Sequence, residues 1–172
     1  MKRVLGLGAF LVAMTLTPTE AHAYCVGDDQ THPAVPYYYS VPKEFGRARF
    51  VIEGVVTNEV WIGYDGKLKR LSPPFNSREN RPRGLAAPYM GAWYDIQVTK
   101  TFKGKPRPRL RLFSENSTAR FWLNKGERYL LFVTEEAFDA PVGRALTADA
   151  CGNSAKANPS LSRKIQALAP RR

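Results

Sequence analysis

The sequence YDIQVTKTFKG (94–104) begins a series of short apolar runs that decides the fold. It is followed by the basic segment KPRPRLRLF (105–113), by KGERYLLFV (125–133) and by LTADACG (146–152), and ARFVIEGVV (48–56) precedes it. Each run alternates or is wholly apolar and ends at a glycine or a polar turn, a pattern typical of the strands of a small barrel or sandwich. The sequence therefore predicts an all-β fold.

Individual runs predict more than their strand character. The alternation is clearest from Trp93 to Phe102. Tyr129 to Val133 is apolar on both faces, which predicts a central strand. Upstream, EVWIGY (59–64) and KLKRL (67–71) flank Asp65-Gly66, and such a two-residue connection predicts a β-hairpin.

Three other stretches complete the predicted domain. Residues 72–91, SPPFNSRENRPRGLAAPYMG, have no usable period and predict a long exposed loop. Residues 143–149 read as the last strand, and the apolar spacing of residues 159–169 behind the capping residue Asn158 predicts a short C-terminal helix. Glu53 is expected to point outward, because burial of a carboxylate without a partner is costly.

The N-terminus has the features of a signal peptide. Lys2 and Arg3 precede an apolar run, and Ala21-His22-Ala23 has the small-x-small spacing of a cleavage site. We therefore expect a signal peptide over 1–23 and one domain over 24–172, secreted or periplasmic. The apolar run is shorter than the roughly 20 residues of a membrane-spanning helix, and no later segment reaches that length.

The segment from Tyr24 to Lys43 is expected to run extended. Prolines at positions 33, 36 and 42 argue against a helix there. Asp28, Asp29 and His32 lie on this segment, but without a fourth ligand or a fixed scaffold they are interpreted as solvated rather than as a metal site. No metal, cofactor or catalytic residue is predicted.

The two cysteines of an exported chain, Cys25 and Cys151, are most simply a disulfide. In the chain-entropy model so long a loop contributes about 5 kcal/mol to stability. Lipid attachment at Cys25 is disfavoured, because the bulky Tyr24 precedes it and Cys151 would be left as an odd thiol.

The charge points to an anionic partner. The formal net charge is +11, and loss of the leader with Lys2, Arg3 and Glu20 leaves +10. Such a bias in an exported protein favours anionic polysaccharide, lipid head groups or acidic protein surfaces. The chain has no H-E-x-x-H, no G-x-S-x-G and no phosphate-binding glycine loop, so we do not expect an enzyme.

One basic pattern supplies a candidate binding site. Four cations two residues apart leave an extended chain from one face, and we refer to them as the basic ladder: Lys105, Arg107, Arg109 and Arg111. The prolines between them predict an edge strand. Cations that merely protect an edge from pairing are the alternative interpretation. Nucleic acid is not expected as a partner, because the chain is predicted to be exported and no aromatics interleave with the ladder.

The order of these segments resembles the secreted domain of tissue inhibitors of metalloproteinases and netrin modules, in its reduced bacterial form. The resemblance covers roughly Cys25 to Leu168, with 57–91 as an oversized insertion, and its most specific parts are FKG (102–104) and GERYLLFV (126–133) with the paired terminal cysteines. It implies a five-stranded Greek-key barrel of the oligonucleotide/oligosaccharide-binding (OB) type, with a long insertion after the first strand and a short C-terminal helix.

Two functions follow as hypotheses. The first is an exported non-enzymatic binding module that contacts an anionic polymer or a protein partner through the basic ladder. The alternative, from the resemblance, is a protease inhibitor that acts through an N-terminal edge at Tyr24 and Cys25. The family presents an N-terminal cysteine to the protease zinc, whereas here Tyr24 precedes the cysteine and Val26-Gly27 replaces the start of a Cys-x-Cys motif.

Overall fold

The computed structural model describes residues 40–70, 89–116 and 121–169. Two helices and seven strands lie in these ranges, in the order α1 (Val41–Arg47), β1 (Phe50–Gly63), β2 (Leu68–Lys69), β3 (Tyr89–Lys103), β4 (Arg109–Glu115), β5 (Arg128–Ala137), β6 (Arg144–Ala148), β7 (Ala155–Lys156) and α2 (Pro159–Leu168). The mostly β class is confirmed. None of the helices in the described ranges has the length and apolar character needed to cross a membrane. The predicted signal peptide and residues 72–88 of the predicted loop lie outside these ranges.

All seven strands belong to one sheet, and five of them form a ring. The order β2-β1-β3-β4-β6-β5-β7 is supplemented by a pairing of β1 with β5, so that β1, β3, β4, β6 and β5 follow one another around a closed circuit. The β1–β5 ladder runs from Phe50↔Val133 to Val55↔Arg128. Strands β4 and β6 are parallel at Leu112↔Leu146, and the other pairs are antiparallel.

Strand β1 is longer than predicted, because it continues through a bulge. ARFVIEGVV and EVWIGY were expected as separate strands, but one strand spans both. Val56 pairs with Ile96 and Asn58 with Asp95, so Thr57 has no residue opposite it. Polar residues at this bulge interrupt the apolar period, which made one bent strand look like two.

Strand β3 extends into the predicted exposed loop, and that prediction was wrong for Tyr89–Gly91. Tyr89 pairs with Gly63 and Gly91 with Ile62, at the far end of β1. Gly91 is buried, and a Cβ atom there would collide with the Ser114 carbonyl and the Phe113 ring. A glycine in a proline-rich stretch predicted a loop, whereas it serves here to let β4 approach β3 closely.

The predicted hairpin after β1 is confirmed, with a longer turn than expected. Ile62 pairs with Leu68, and the Gly63 N–H donates to the Lys67 carbonyl at 3.0 Å. The loop is therefore the three residues 64–66 rather than two. Gly66 has φ +76°, the left-handed conformation that this type of turn requires at its last position.

The inside of the ring is filled by one apolar cluster to which all five ring strands contribute. Examples from β1, β3, β4, β5 and β6 in turn are Ile52, Tyr94, Leu112, Leu131 and Ala148. Tyr129 to Val133 is buried throughout, so the prediction of a central strand there is confirmed. Tyr129, Leu131 and Val133 point inward, while Leu130 and Phe132 alternate to the outside.

Both helices cover the outside of the ring at β5. Leu130 and Phe132 belong to a second cluster with Ile165 of α2, packed against Phe45 of α1 and Leu161. The predicted C-terminal helix is confirmed, and its Asn158 cap accepts a hydrogen bond from the Leu161 N–H at 2.8 Å.

Helix α1 contradicts the expectation of extended chain as far as Lys43. Its cap Ser40 accepts from the Lys43 N–H at 3.4 Å, and Pro42 lies in the first turn, where a backbone N–H has no partner within the helix. Lys103 closes the other end by donating to the Phe45 and Gly46 carbonyls at 2.6 and 2.7 Å. Proline at the first turn permits a helix instead of excluding one.

Two carboxylates hold the helices on the sheet. Glu44 of α1 is 6% exposed and accepts from the backbone N–H and the Nδ2 of Asn153, at 2.6 and 2.5 Å. Burial raises the pKa of Glu44. Glu53 was expected simply to point outward, but it is half-buried and accepts a hydrogen bond from Ser162 of α2. The helix supplies the partner that makes this partial burial tolerable.

A third carboxylate, Glu127, joins β7 to the turn before β5. It accepts from Lys156 Nζ at 2.6 Å, from the Tyr129 hydroxyl at 2.6 Å and from Asn124 Nδ2 at 3.0 Å. These hydrogen bonds, with that from Lys156 the strongest, lower the pKa of Glu127 to about 2.

The packing of α2 predicts the effect of shortening its buried side chain. Ile165 is 0% exposed, so Ile165→Ala should lower the free energy of unfolding by about 2–5 kcal/mol. The neighbouring exposed Gln166→Ala should stay within about 0.5 kcal/mol of the unchanged protein. Urea unfolding of both variants measures this, and equal stabilities would show that α2 does not pack on the sheet.

The hydrogen bonds of Glu127 predict a loss of stability in acid. Since its folded pKa is about 2 against an ordinary 4.5, the stabilisation is complete above about pH 4.5 and disappears as the pH falls toward 2. Glu127→Gln should therefore be less stable by about 1 kcal/mol at pH 7 and show a shrinking difference below pH 4.5. Urea unfolding across this range tests it, and a pH-independent difference would contradict it.

Candidate anion-binding groove

The basic ladder is only partly a strand. All four of its cations are exposed, but β4 begins at Arg109, and Lys105 and Arg107 precede it. Pro106 and Pro108 lack the N–H needed for pairing, although the Pro108 carbonyl accepts from the Val98 N–H at 2.9 Å. The predicted strand over 105–113 therefore starts four residues late.

The expectation that the ladder lies on an edge strand was wrong. Strand β4 pairs with β3 over seven positions and with β6 at Leu112↔Leu146, so it lies between two neighbours in the ring. The prolines that suggested an edge lie before the strand. Arg109 and Arg111 thus project from the outer face of a strand that pairs with β3 along its whole length and with β6 at Leu112.

An open groove of about 440 Å³ lies on this outer face, and we call it the β3–β4 groove. Its lining residues come from β1, β3 and β4: Thr57, Asp95, Gln97, Arg109, Leu110 and Arg111. The register places Asp95 opposite Arg111 and Gln97 opposite Arg109. The two arginines of the ladder that belong to β4 therefore share one groove with polar side chains of β3.

Asp95 is the centre of the hydrogen bonding in the groove. It accepts from Arg111 Nε at 2.8 Å and from Asn58 Nδ2 at 2.9 Å. The hydrogen bond from Arg111 is the main cause that lowers the pKa of Asp95, and the charges of Arg111 and Arg70 lower it further. Asp95 is therefore ionised at neutral pH and fixes the direction of the Arg111 guanidinium.

Arg109 is held by a neutral partner. Its Nε donates to Gln97 Oε1 at 3.3 Å, and Gln97 Nε2 donates to the Pro108 carbonyl at 3.2 Å. The Pro108 carbonyl, which lies just before β4, thereby orients the amide of Gln97. Because its partner carries no charge, Arg109 keeps its full positive charge for a ligand in the groove.

The bulge in β1 forms the third wall. The Thr57 hydroxyl donates to the Asp95 carbonyl at 3.0 Å, while Asn58 reaches the Asp95 carboxylate. Bulges commonly redirect side chains beside binding sites. Here the bulge allows Thr57 and Asn58 of β1 both to reach Asp95 of β3.

An aromatic ring borders the groove. Trp93 is half-buried on the same face of β3, and the Arg111 guanidinium carbon lies 5.9 Å from its ring centroid. Arg111 is therefore placed between a carboxylate and an indole ring, which limits its freedom before any ligand binds.

The sequence pattern identifies the arginines but not the side chains that orient them. Asp95 and Gln97 were assigned only to the polar side of a strand, and Thr57 and Asn58 fell in the predicted insertion. The alternation of β3 does indicate which side chains share a face. It carries no information on which strand lies beside it, so the pairing of Asp95 with Arg111 could not be inferred.

Several sequence-based predictions fall outside the described residues. Tyr24 and Cys25 lie there, so the disulfide to Cys151 and the inhibitory N-terminal edge stay predictions. Asp28, Asp29 and His32 lie there as well. Within 40–70, 89–116 and 121–169, no group of three or more His, Cys, Asp or Glu side chains is arranged to hold a metal ion.

No protein-family model matches the chain, and no curated protein matches it. The resemblance to tissue inhibitors of metalloproteinases and netrin modules therefore stays a prediction.

The contact between Arg111 and Asp95 predicts a change in titration. Arg111→Ala should raise the pKa of Asp95 toward its ordinary value, because the strongest stabilisation of the carboxylate is lost. Arg109→Ala, which removes the partner of Gln97 instead, should leave the pKa of Asp95 unchanged. Carboxyl-carbon NMR across acidic pH measures both variants, and an unchanged midpoint in Arg111→Ala would rule out this contact.

Proposed function

We propose that the chain is an exported, non-enzymatic binding module whose β3–β4 groove contacts an anionic polysaccharide. One observation carries the proposal: Arg109 and Arg111 are exposed, and each is held in a defined direction by the hydrogen bond that its Nε donates, Arg109 to Gln97 and Arg111 to Asp95. Cations that are oriented in advance lose little freedom on binding, which favours recognition of an acidic group.

The position of β4 weakens the interpretation that these cations only protect an edge. An edge strand needs charges because its N–H and C=O groups are open to a second chain. Strand β4 has neighbours on both sides at Leu112. Edge protection is therefore a weaker explanation for Arg109 and Arg111 than ligand binding.

The strand order supports a Greek-key barrel of the OB type. The first three long strands, β1, β3 and β4, are successive antiparallel neighbours, and β5 returns to lie beside β1. This order agrees with that expected for a Greek key, and β6 completes the circuit of five strands. OB barrels bind polymer chains across their second and third strands, and the groove lies on the corresponding β3 and β4.

The mixture of groups in the groove favours a sugar polymer over other anions. Guanidinium groups of Arg109 and Arg111 suit carboxylate or sulfate, while Thr57 and Gln97 can exchange hydrogen bonds with hydroxyls. The exposed Lys105 and Arg107 lie just before the groove in the chain and add to the positive charge near it.

The proposal predicts weaker binding when the groove loses its arginines. The double variant Arg109→Ala/Arg111→Ala should bind heparin, used as an anionic polysaccharide, roughly tenfold more weakly at fixed salt. It should also elute from immobilised heparin at lower salt, because fewer charge contacts are screened.

A matched variant separates the groove from net charge. Arg163→Ala/Lys164→Ala removes the same two charges from the exposed side of α2 and should elute close to the unchanged protein. Equal elution of the two double variants would refute the groove as the binding site. Anionic phospholipid vesicles and an acidic protein, tested with the same variants, report whether another anion is preferred.

A further inference from the structure

A second cavity lies at the opposite end of the outer face of β3 and β4. It measures about 240 Å³ and is lined by Tyr64, Met90, Phe113, Glu115, Asn116, Phe138 and Asp139. We call it the aromatic pocket. Tyr64 comes from the tip of the β1–β2 hairpin, and Phe138 and Asp139 come from the turn after β5. These two segments lie close together, since a Cβ atom at Gly66 would be 3.4 Å from Pro141.

The aromatic walls of this pocket are fixed by packing. Phe113 is 1% exposed, and its ring centroid lies 4.8 Å from that of Phe138 in an edge arrangement. On its other side the Trp93 centroid lies 5.1 Å away. A ligand would therefore meet ring surfaces that are already in place.

The rim of the pocket is acidic although the chain is strongly basic. Glu115 at the end of β4 and Asp139 in the turn after β5 are both exposed. In the part of the chain that the structure describes, no ion pair involves either carboxylate. Two such carboxylates above apolar rings make the pocket complementary to a positive charge on an apolar stem.

Two exposed apolar side chains lie at the pocket and on the hairpin beside it. Tyr64, which lines it, is 56% exposed, and Leu68 across the hairpin is 57% exposed. These are the large apolar side chains that the described ranges leave most open to solvent. A small cation alone would leave this surface uncovered, whereas a protein segment could cover it while one of its side chains enters the pocket.

We propose that the aromatic pocket receives one arginine side chain of a partner protein. A guanidinium can stack on the rings of Phe138 and Tyr64 while it pairs with Glu115 and Asp139. The volume of about 240 Å³ lies below the roughly 300–1,000 Å³ of sites for drug-sized ligands, which suits a single long side chain. This site is independent of the polysaccharide groove, whose ligand has the opposite charge.

The proposal can be tested by NMR titration with N-acetyl-arginine methylamide. The ligand should shift the ring signals of Tyr64 and Phe138 and the methyl signal of Met90 at millimolar concentration. The citrulline analogue, which has nearly the same shape without the charge, should bind at least roughly fivefold more weakly. The lysine analogue tests the role of stacking and should bind more weakly than arginine.

Matched variants locate the binding. Glu115→Gln/Asp139→Asn should weaken arginine binding roughly five- to tenfold, while Glu136→Gln, an exposed carboxylate outside the pocket, should leave it unchanged. Equal binding of arginine and citrulline, or equal binding by both variants, would overturn the proposal.

Two further outcomes would assign the pocket to a different occupant and also overturn the proposal. Shifts of the pocket signals that grow with protein concentration alone would identify a second copy of this chain. Arginine binding that begins only after Arg78, Arg81 and Arg83 are replaced by alanine would identify the chain's own segment 72–88 as the occupant of the pocket.

Discussion

The antiparallel pairing of β1 with β5 is the interaction on which the rest of the structure depends. Six successive pairs, from Phe50↔Val133 to Val55↔Arg128, close the ring. Along the same stretch of β5, the side chains of Tyr129, Leu131 and Val133 point into the interior of the ring. Those of Leu130 and Phe132 point toward the helices. A strand that is buried on both faces couples the two cores, so the ring and its helices stabilise each other.

The groove depends on this closed ring. Because the even-numbered residues Tyr94 and Ile96 of β3 are required inside, Asp95 and Gln97 must face outward. The register with β4 then sets them opposite Arg111 and Arg109. The positions of the two arginines are thus fixed by packing on the other side of the sheet.

The outer face of β3 and β4 changes character along its length. The Gln97↔Arg109 and Asp95↔Arg111 pairs are polar and basic, Trp93↔Phe113 is aromatic, and Gly91 opposite Glu115 leads to the acidic rim. Glu115 lies four positions after Arg111, roughly 13 Å along the strand. A face with unlike charges at its two ends would orient any partner that covered both, because reversal would bring like charges together.

The sequence by itself determined the strand class, the central place of β5, the C-terminal helix and the exposed cations, because each depends on the spacing of residues near one another in the chain. The tertiary structure decided the helix at Val41–Arg47, the continuation of β1 through Thr57, the interior position of β4 and the contact of Arg111 with Asp95. These features depend on which distant segments meet. Periodicity specifies the face of a strand, but only strand pairing specifies its neighbour.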